Sequence, residues 1–282
     1  MSTVSLKELA IDGRPAFAYT GGQGEPLLLV HGGWGGASMH WATVWDRFAE
    51  RYQVIAPELP GIGRSDQEGL GSIGAYARWI ERLLDGLGVS SAWCVGNSIG
   101  ASVVSSLAAL RAARCRGLVL VNGTPLPSLP RVVGWLGKQP LPRQVLRALV
   151  RKLSYNPGIL GRAFADPRRA PAALRAVLDH PSPPQLDVML DVVLQGGARA
   201  PLDERPLLVW GEEDRLAGST ARDAKKLHVS LPGSQLTFIP AAGHCPQVEA
   251  PEAFVDAVSR FIEARSAAAR AQGPGHPNNT AA

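Results

Sequence analysis

The sequence predicts an α/β fold built on a mostly parallel sheet, because short buried strands alternate with helices along the chain. Six apolar runs lack polar alternation, which is typical of strands covered on both faces. Helix-like segments lie between them, and this alternation favours parallel strands joined by right-handed crossovers. The chain has 282 residues, of which 45% are hydrophobic, enough to bury one large core.

Each predicted element has its own sequence signal. The strand-like runs lie at 26–30, 53–56, 92–95, 118–121, 207–210 and 236–239. Amphipathic spacing predicts helices at 38–50, 74–87, 99–113, 219–229 and 251–265. The first 20 residues indicate an antiparallel hairpin that turns at Asp12 and Gly13, since Asp-Gly accepts the positive φ angles of a tight turn.

The stretch 124–204 interrupts this alternation and predicts an inserted helical cap. It is rich in proline, and its apolar residues fall at helical spacing, as Val145, Leu149 and Leu153 do. The core domain is therefore expected at 1–123 and 205–265. The last stretch, 266–282, is rich in small and polar residues, which predicts a disordered tail.

The charge pattern does not indicate a nucleic-acid or membrane partner. The 29 Lys and Arg against 24 Asp and Glu leave a net charge of +5, but the basic residues are scattered. The densest group, Arg143, Arg147, Arg151 and Lys152, has helical spacing, and a solvated helix face is the favoured interpretation. We expect neither nucleic acid nor a membrane as a partner.

Cysteine usage and the amino-terminal residues favour a cytoplasmic protein. Cys94, Cys115 and Cys245 fit no zinc or CxxC spacing and are expected to be free thiols in a reducing compartment. The amino-terminal stretch has no apolar signal region, and no apolar run approaches the ~18 residues of a membrane span. Nothing in the sequence implies a metal or an organic cofactor.

A nucleophile elbow is predicted at residues 96–100, which read Gly-Asn-Ser-Ile-Gly. This G-x-S-x-G follows a predicted strand and precedes a predicted helix, which is the context that the motif requires. A sharp turn there exposes the Ser98 hydroxyl, and glycines on both sides remove Cβ atoms that would collide with neighbouring backbone. The alternative is a serine that caps a helix between two chance glycines.

His244 and Asp214 are the predicted base and acid. A serine hydroxyl such as that of Ser98 is a weak nucleophile until a base takes its proton. His244 follows the last predicted strand, and Asp214 follows the strand before it. The order Ser…Asp…His is the one expected for a fold that carries a nucleophile elbow. The acids at 212–213 are rivals in the same loop. A second position for the acid, after the 118–121 run, carries Asn122 and no carboxylate.

An oxyanion hole is predicted in the glycine-rich loop after the first central strand. Residues 31–36 read His-Gly-Gly-Trp-Gly-Gly, and we assign one donor to the N–H of Gly33 and the other to the N–H of Ile99. A phosphate cradle is disfavoured, because the loop matches neither a P-loop nor a dinucleotide fingerprint. Trp34 is expected to line the substrate pocket, with a packed core aromatic as an equal alternative.

Taken in order, five motifs resemble the α/β-hydrolase superfamily. They are HGGWGG (31–36), ELPGIGRSD (58–66), VGNSIG (95–100), LLVWGEEDRL (207–216) and AGHCPQVEAPEAF (242–254). The resemblance implies an eight-stranded, mostly parallel sheet flanked by helices, with a helical cap inserted between Asn122 and Arg205. It says much less about the substrate, because this fold hosts many chemistries.

The elbow sequence also resembles that of the carbon–carbon-bond hydrolases that cleave meta-cleavage products of aromatic rings. Two departures weaken this match, since those enzymes typically have Gly-Pro-Gly in the oxyanion loop and Trp after the catalytic His. This chain has Trp34-Gly35-Gly36 and Cys245 at those places. Ser98 argues against haloalkane dehalogenases and epoxide hydrolases, which use an aspartate there.

Three hypotheses for function follow. The first is hydrolysis of a small, mostly apolar ester or lactone through an acyl-enzyme on Ser98. The second is carbon–carbon-bond hydrolysis, or a lyase or cyclase step, on an aromatic-degradation or biosynthetic intermediate. The third is a non-catalytic ligand receptor, which an intact triad disfavours. A small molecule is the expected partner, and the protein is expected to be a monomer or homodimer.

The cap is expected to set substrate specificity. Trp135 is predicted to contact substrate together with Trp34. Arg143, Arg147 or Arg162 is a possible partner for an acidic substrate group, although surface solvation is the favoured interpretation for each.

Overall fold

The fold is seen in a computed structural model that describes residues 2–62, 69–123, 135, 137, 139–195, 205–216 and 218–271, except for the side chains of residues 193 and 195. Within those ranges a sheet of eight strands has the order β1-β2-β4-β3-β5-β6-β7-β8. The strands are β1 (Val4–Ile11), β2 (Arg14–Gly21), β3 (Glu25–Val30), β4 (Tyr52–Pro57), β5 (Ala92–Asn97), β6 (Cys115–Val121), β7 (Leu207–Gly211) and β8 (Gln235–Ile239). The pairs β1–β2 and β2–β4 are antiparallel and all others are parallel, which confirms the predicted fold class.

Helices connect and cover these strands. They are α1 (Ala37–Trp41), α2 (Trp45–Ala49), α3 (Ile73–Gly86), α4 (Ile99–Leu110), α5 (Pro140–Ser154), α6 (Leu160–Ala163), α7 (Ala172–Asp179), α8 (Pro183–Gln195), α9 (Ala221–Ser230), α10 (Pro246–Glu249) and α11 (Pro251–Ala271). None of the described helices combines the length and apolar character needed to cross a membrane.

The amino-terminal hairpin turns where the sequence predicts. Asp12 has φ 53° and Gly13 has φ 73°, so both turn residues lie in the left-handed region. Ile11 then pairs directly with Arg14 across β1 and β2. A two-residue turn of this hand suits the twist of the strands that it joins.

Continuous apolar character in the strands is explained by packing on both faces of the sheet. In β3, Leu28 and Val30 join the core under α3 and α4, whereas Leu27 and Leu29 join the core under α1, α2 and α11. Because neighbouring side chains point to opposite faces, a strand covered on both sides needs apolar residues at every position.

Two of the predicted helices differ most from those observed. The segment 38–50 forms two short helices, since the chain leaves helical geometry at Val44, with φ −127°, and the Thr43 hydroxyl bonds the Gln247 carbonyl oxygen at 2.8 Å. The last helix continues to Ala271 instead of ending at 265, because 267–271 consists of alanines and one arginine, which are strong helix formers. The predicted tail therefore starts within a helix, and 272–282 lie outside the described residues.

Between β6 and β7 the chain forms helices α5 to α8, which cover the carboxyl ends of the strands. Their apolar side chains form a third cluster, in which Tyr155, Phe164 and Leu174 pack with Trp34 and Cys245 of the core. Both predicted ends of the cap, at 124 and 204, lie outside the described residues. All three cysteines are buried free thiols.

Candidate active site

Ser98 lies at a strained turn between β5 and α4. Its backbone has φ 55° and ψ −116°, a left-handed conformation that costs about 1–3 kcal/mol for a residue with a side chain. The turn is possible because its neighbours are glycines: a Cβ on Gly96 would lie 2.3 Å from the Gly100 carbonyl oxygen, and one on Gly100 would lie 2.2 Å from that of Val30. A hydrogen bond of 2.9 Å from the Ser98 N–H to the Val121 carbonyl fixes the turn on β6.

His244 and Asp214 meet above the carboxyl ends of β7 and β8. The distance between His244 Nδ1 and Asp214 Oδ2 is 2.7 Å, and both side chains are buried. When Nδ1 carries the proton that bonds the carboxylate, Nε2 is the unprotonated nitrogen that can accept a proton. This arrangement gives His244 a fixed orientation and a negatively charged partner.

The Asp214 carboxylate accepts more hydrogen bonds than the sequence predicts. Its Oδ2 accepts from Asn122 Nδ2 at 2.7 Å and from Ser219 Oγ at 2.7 Å. Its Oδ1 accepts from the Leu216 N–H at 3.0 Å. The Ser219 oxygen also lies 3.3 Å from His244 Nδ1. Asn122, which stands where the sequence offers a second position for an acid, is thus a donor to the acid.

Ser98 and His244 face the same cavity, which has a volume of about 370 Å³. Most of its wall is apolar and is contributed by Trp34, Ile99, Ile159, Met189, Val192 and Leu216. No hydrogen bond joins the Ser98 hydroxyl to the His244 ring in this structure. Such bonds are often long before substrate binds. The cavity therefore gathers the predicted nucleophile and base at one apolar site, with the acid behind the base.

Gly33 and Ile99, the predicted oxyanion donors, lie side by side in this wall. A Cβ on Gly33 would come within 2.9 Å of Ile99 Cδ1 and 2.5 Å of Met189 Sδ. Neither backbone N–H donates a hydrogen bond to any other described residue. The Tyr155 hydroxyl donates to the Gly33 carbonyl at 2.8 Å, and burial raises the pKa of that phenol, which keeps its proton in place. Both N–H groups therefore lack a partner within the described part of the chain.

Comparison with known proteins gives the family. A family model described as "Alpha/beta hydrolase family" matches residues 27–257. The chain belongs to the α/β-hydrolase family. The resemblance that its motifs carry is thereby confirmed.

Relatives within the family differ in what they act on. The chain is 29% identical over 255 residues to 2-hydroxymuconate semialdehyde hydrolase of Pseudomonas putida, covering 86% of this chain and 88% of the relative. It is 29% identical over 257 residues to pimeloyl-[acyl-carrier protein] methyl ester esterase of Serratia marcescens, covering 86% and 96%. A thermophilic esterase from Thermogutta terrifontis has the same fold, with a TM-score of 0.73 at 22% identity, covering 93% of this chain and 99% of that one.

Asn97 and His40 are two further polar residues of this α/β-hydrolase site to which the sequence-based prediction gives no role. Asn97 donates from Nδ2 to the Val121 carbonyl at 3.1 Å and to the His244 carbonyl at 3.0 Å, so it ties the elbow to the histidine loop. Its Oδ1 lies 3.1 Å from His40 Nδ1. Burial, reinforced by the nearby His31, lowers the pKa of His40 to about 3. His40 is therefore a neutral ring in the cavity wall, not a second base.

His31 fixes the oxyanion loop in place. Its Nδ1 lies 2.7 Å from the Gly32 carbonyl oxygen, and its Nε2 accepts from the Leu59 N–H at 3.0 Å. Burial lowers its pKa to about 4, so the ring stays neutral and can accept at one nitrogen while donating at the other. This histidine joins two loops and does not face the reacting centre.

Residues at the end of α6 and just after it contact the loop that carries His244. The His244 N–H donates to the Ala163 carbonyl at 2.5 Å, and the Glu249 carboxylate accepts from the N–H groups of Gly243 at 2.7 Å and Ala165 at 2.8 Å. A Cβ on Gly243 would lie 2.1 Å from the Ala163 oxygen, so only glycine permits this approach. Burial raises the pKa of Glu249. The position of His244 thus depends on contacts with the end of α6 and the residues that follow it.

The structure places the two tryptophans of the predicted substrate site differently. Trp34 lines the cavity, with its ring centre 5.3 Å from that of His244. Trp135 is 60% exposed and is not among the described wall residues of the cavity, so its contact with substrate stays a prediction. Apolar spacing alone does not tell which face of a cap helix points inward.

Proposed function

We propose that this protein is a serine hydrolase that cleaves a small, mostly apolar ester or lactone through an acyl-enzyme on Ser98. One observation carries the proposal: Ser98 and His244, the latter bonded to Asp214, line one apolar cavity whose wall also contains Gly33 and Ile99. The family and the esterase among its relatives support the same reaction class.

The mechanism follows from the geometry. His244 Nε2 takes the hydroxyl proton as Ser98 Oγ attacks the carbonyl carbon, and Asp214 stabilises the imidazolium that forms. The N–H groups of Gly33 and Ile99 bind the oxyanion. His244 then gives its proton to the leaving alcohol, and the acyl group remains on Ser98. Water, deprotonated by the same histidine, attacks the acyl-enzyme, and the histidine returns this proton to Ser98 Oγ as the acid is released.

The direct test compares two serines on the same part of the chain. Ser98→Ala should lower kcat for p-nitrophenyl esters by about 10⁴-fold or more, because the nucleophile is lost while the oxyanion donors remain. Ser105, a buried serine of α4 whose hydroxyl has no partner among the described residues, is the matched control. Ser105→Ala should keep full activity. Undiminished hydrolysis by the Ser98→Ala protein would defeat the proposal.

A second candidate is carbon–carbon-bond hydrolysis, which the similarity to 2-hydroxymuconate semialdehyde hydrolase favours. The same cavity supports it, since a carbonyl beside the bond to be broken can occupy the oxyanion site. A chromogenic dienoate assayed beside simple esters separates the two reactions. Turnover of the dienoate with all esters inert would replace the first candidate by the second.

A further inference from the structure

The cap contains a second pocket beside the catalytic cavity. This pocket is open to solvent, and we call it the outer chamber. It has a volume of about 680 Å³ and is formed by the end of α5, the turn that follows it and the start of α6. Leu153, Ile159 and Arg162 line both spaces. Tyr155, whose hydroxyl holds the Gly33 carbonyl, also lines the outer chamber. The outer chamber therefore adjoins the catalytic cavity.

The wall of the outer chamber is basic. Arg151, Lys152 and Arg162 contribute three cationic side chains, and Asn156 contributes an amide. No Asp or Glu belongs to the part of this wall that the structure describes. In the catalytic cavity, Arg162 is the only Lys or Arg among the described wall residues. Positive charge is thus concentrated on one side of an otherwise apolar site.

Among the other described arginines of the cap, Arg143, Arg147 and Arg168 pair with acids, whereas Arg169 and Arg175 donate to the backbone carbonyls of Glu249 and Pro167. Arg143 pairs with Asp187 at 2.8 Å and with Asp191 at 2.7 Å, and Arg147 approaches Asp187 at 3.4 Å. Arg168 pairs with Asp166 at 2.9 Å.

By contrast, the structure gives Arg151, Lys152 and Arg162 no ion pair with any acid in the described ranges. Neighbouring positions on α5 therefore have two electrostatic environments. The arginines in the half of α5 that faces α8 form ion pairs with acids, whereas the cations in the half that ends at the chamber do not.

We propose that the outer chamber binds an anionic group, a carboxylate or a phosphate, carried by the substrate itself. This inference rests on the proposed function. The bond to be cleaved lies at Ser98 in the apolar cavity, and the charged end of the same molecule lies among Arg151, Lys152 and Arg162. The substrate class is then an amphiphilic anion, and a purely apolar ester is a poorer substrate.

The physical basis is charge pairing at a partly solvated site. Exposed ion pairs contribute little individually, so each cation is expected to change selectivity by no more than about fivefold. Arginine can hold a carboxylate or phosphate with two parallel hydrogen bonds, which adds orientation. Because the chamber is open to solvent, salt should weaken the preference.

The test uses pairs of p-nitrophenyl or phenyl esters that match in length. In one pair the acyl chain ends in a carboxylate or in a methyl group; in the other the leaving phenol carries a carboxylate or none. The wild-type protein should give a higher kcat/KM for the anionic member of at least one pair. Arg151→Gln with Arg162→Gln should lower that anionic-to-neutral ratio about tenfold, mainly through KM, and 0.5 M NaCl should lower it in the wild-type protein.

Arg168→Gln is the matched control, because Arg168 is an exposed cap arginine outside both cavities. It should leave the ratio unchanged. Equal kcat/KM values within both pairs, or the same ratio in the double variant, would overturn the chamber assignment while the esterase proposal stands.

A binding measurement separates the two proposals if no ester is turned over. Calorimetry on the Ser98→Ala protein compares octanoate and octyl phosphate with octanol. Tighter binding of an anion, lost in the double arginine variant, would support the chamber even if the protein is not an esterase. A preference for octyl phosphate over octanoate would assign the anion as phosphate. Equal binding of all three would contradict the chamber.

Discussion

The elbow and the cap are built under very different constraints. At the elbow, backbone atoms approach so closely that Gly96 and Gly100 have no room for a Cβ. In the cap, Gly161 has no heavy atom within 4 Å of where a Cβ would stand, and Leu141 of α5 is 75% exposed. The comparison teaches that Ser98 is held by tight local geometry, whereas the exposed parts of helices α5 and α6 have room for larger side chains.

The largest effect on stability is expected when a methyl group is added at the elbow, and the same change in the cap is its control. Gly100→Ala places a Cβ 2.2 Å from the Val30 carbonyl oxygen, so β3 or the start of α4 must move. We expect a loss of about 3 kcal/mol or more in the free energy of unfolding, measured by urea denaturation. Gly161→Ala should leave it unchanged or raise it by up to about 1 kcal/mol, because alanine is the better helix former. Equal effects of the two changes would show that the elbow is not the more constrained region.

A smaller effect is expected from the acid's extra hydrogen bond. Ser219→Ala removes a donor at 2.7 Å from Asp214 Oδ2, without touching the cavity-facing side of His244. We expect kcat to fall about tenfold with KM little changed, because a hydrogen bond to a charged group is worth about 1.5 kcal/mol. Ser219→Thr, which keeps the hydroxyl, should recover most of the rate. Failure of Thr to do so, with both variants equally stable, would assign Ser219 a packing role only.

The acid's partners also show what the sequence could and could not give. The placement of Ser98, His244 and Asp214 at one edge of the sheet was predictable, because each follows a recognisable strand and parallel strands bring those ends to one edge. Asn122 and Ser219 were not, since their contacts with Asp214 depend on how two loops meet. The segment 38–50 was predicted as one helix, and the break at Val44 follows from the Thr43 contact with Gln247, 204 positions away.

In the cap, apolar spacing predicted helices but not their facing. Trp135 was assigned to the substrate, yet it is exposed. Arg162, for which solvation was favoured, lines both cavities. Helical periodicity fixes which residues share a face, but the face that turns inward depends on the partner against which the helix packs. The cap is therefore where sequence reasoning is weakest.

A slope in stability with pH is expected from the two buried histidines beside the site. His31 and His40 have pKa values lowered to about 4 and about 3, against 6.5 in the unfolded chain. The unfolded state therefore binds more protons between pH 6.5 and about 4, and stability falls as pH falls through this window.

Each buried histidine contributes a slope of about 1.4 kcal/mol per pH unit there. His40→Gln should flatten the wild-type slope by about that amount, measured by urea unfolding at several pH values between 4 and 6. An unchanged slope would mean that His40 is protonated in the folded protein.

The central claim is that Ser98 is the activated nucleophile of a triad, and covalent labelling tests it most directly. The protein is incubated with a fluorophosphonate, and the modified peptide is identified by mass spectrometry. The account predicts a single adduct on Ser98, present in the Ser105→Ala protein and lost or strongly slowed in His244→Ala. A wild-type protein that stays unlabelled, or that carries the adduct on another residue, would contradict it.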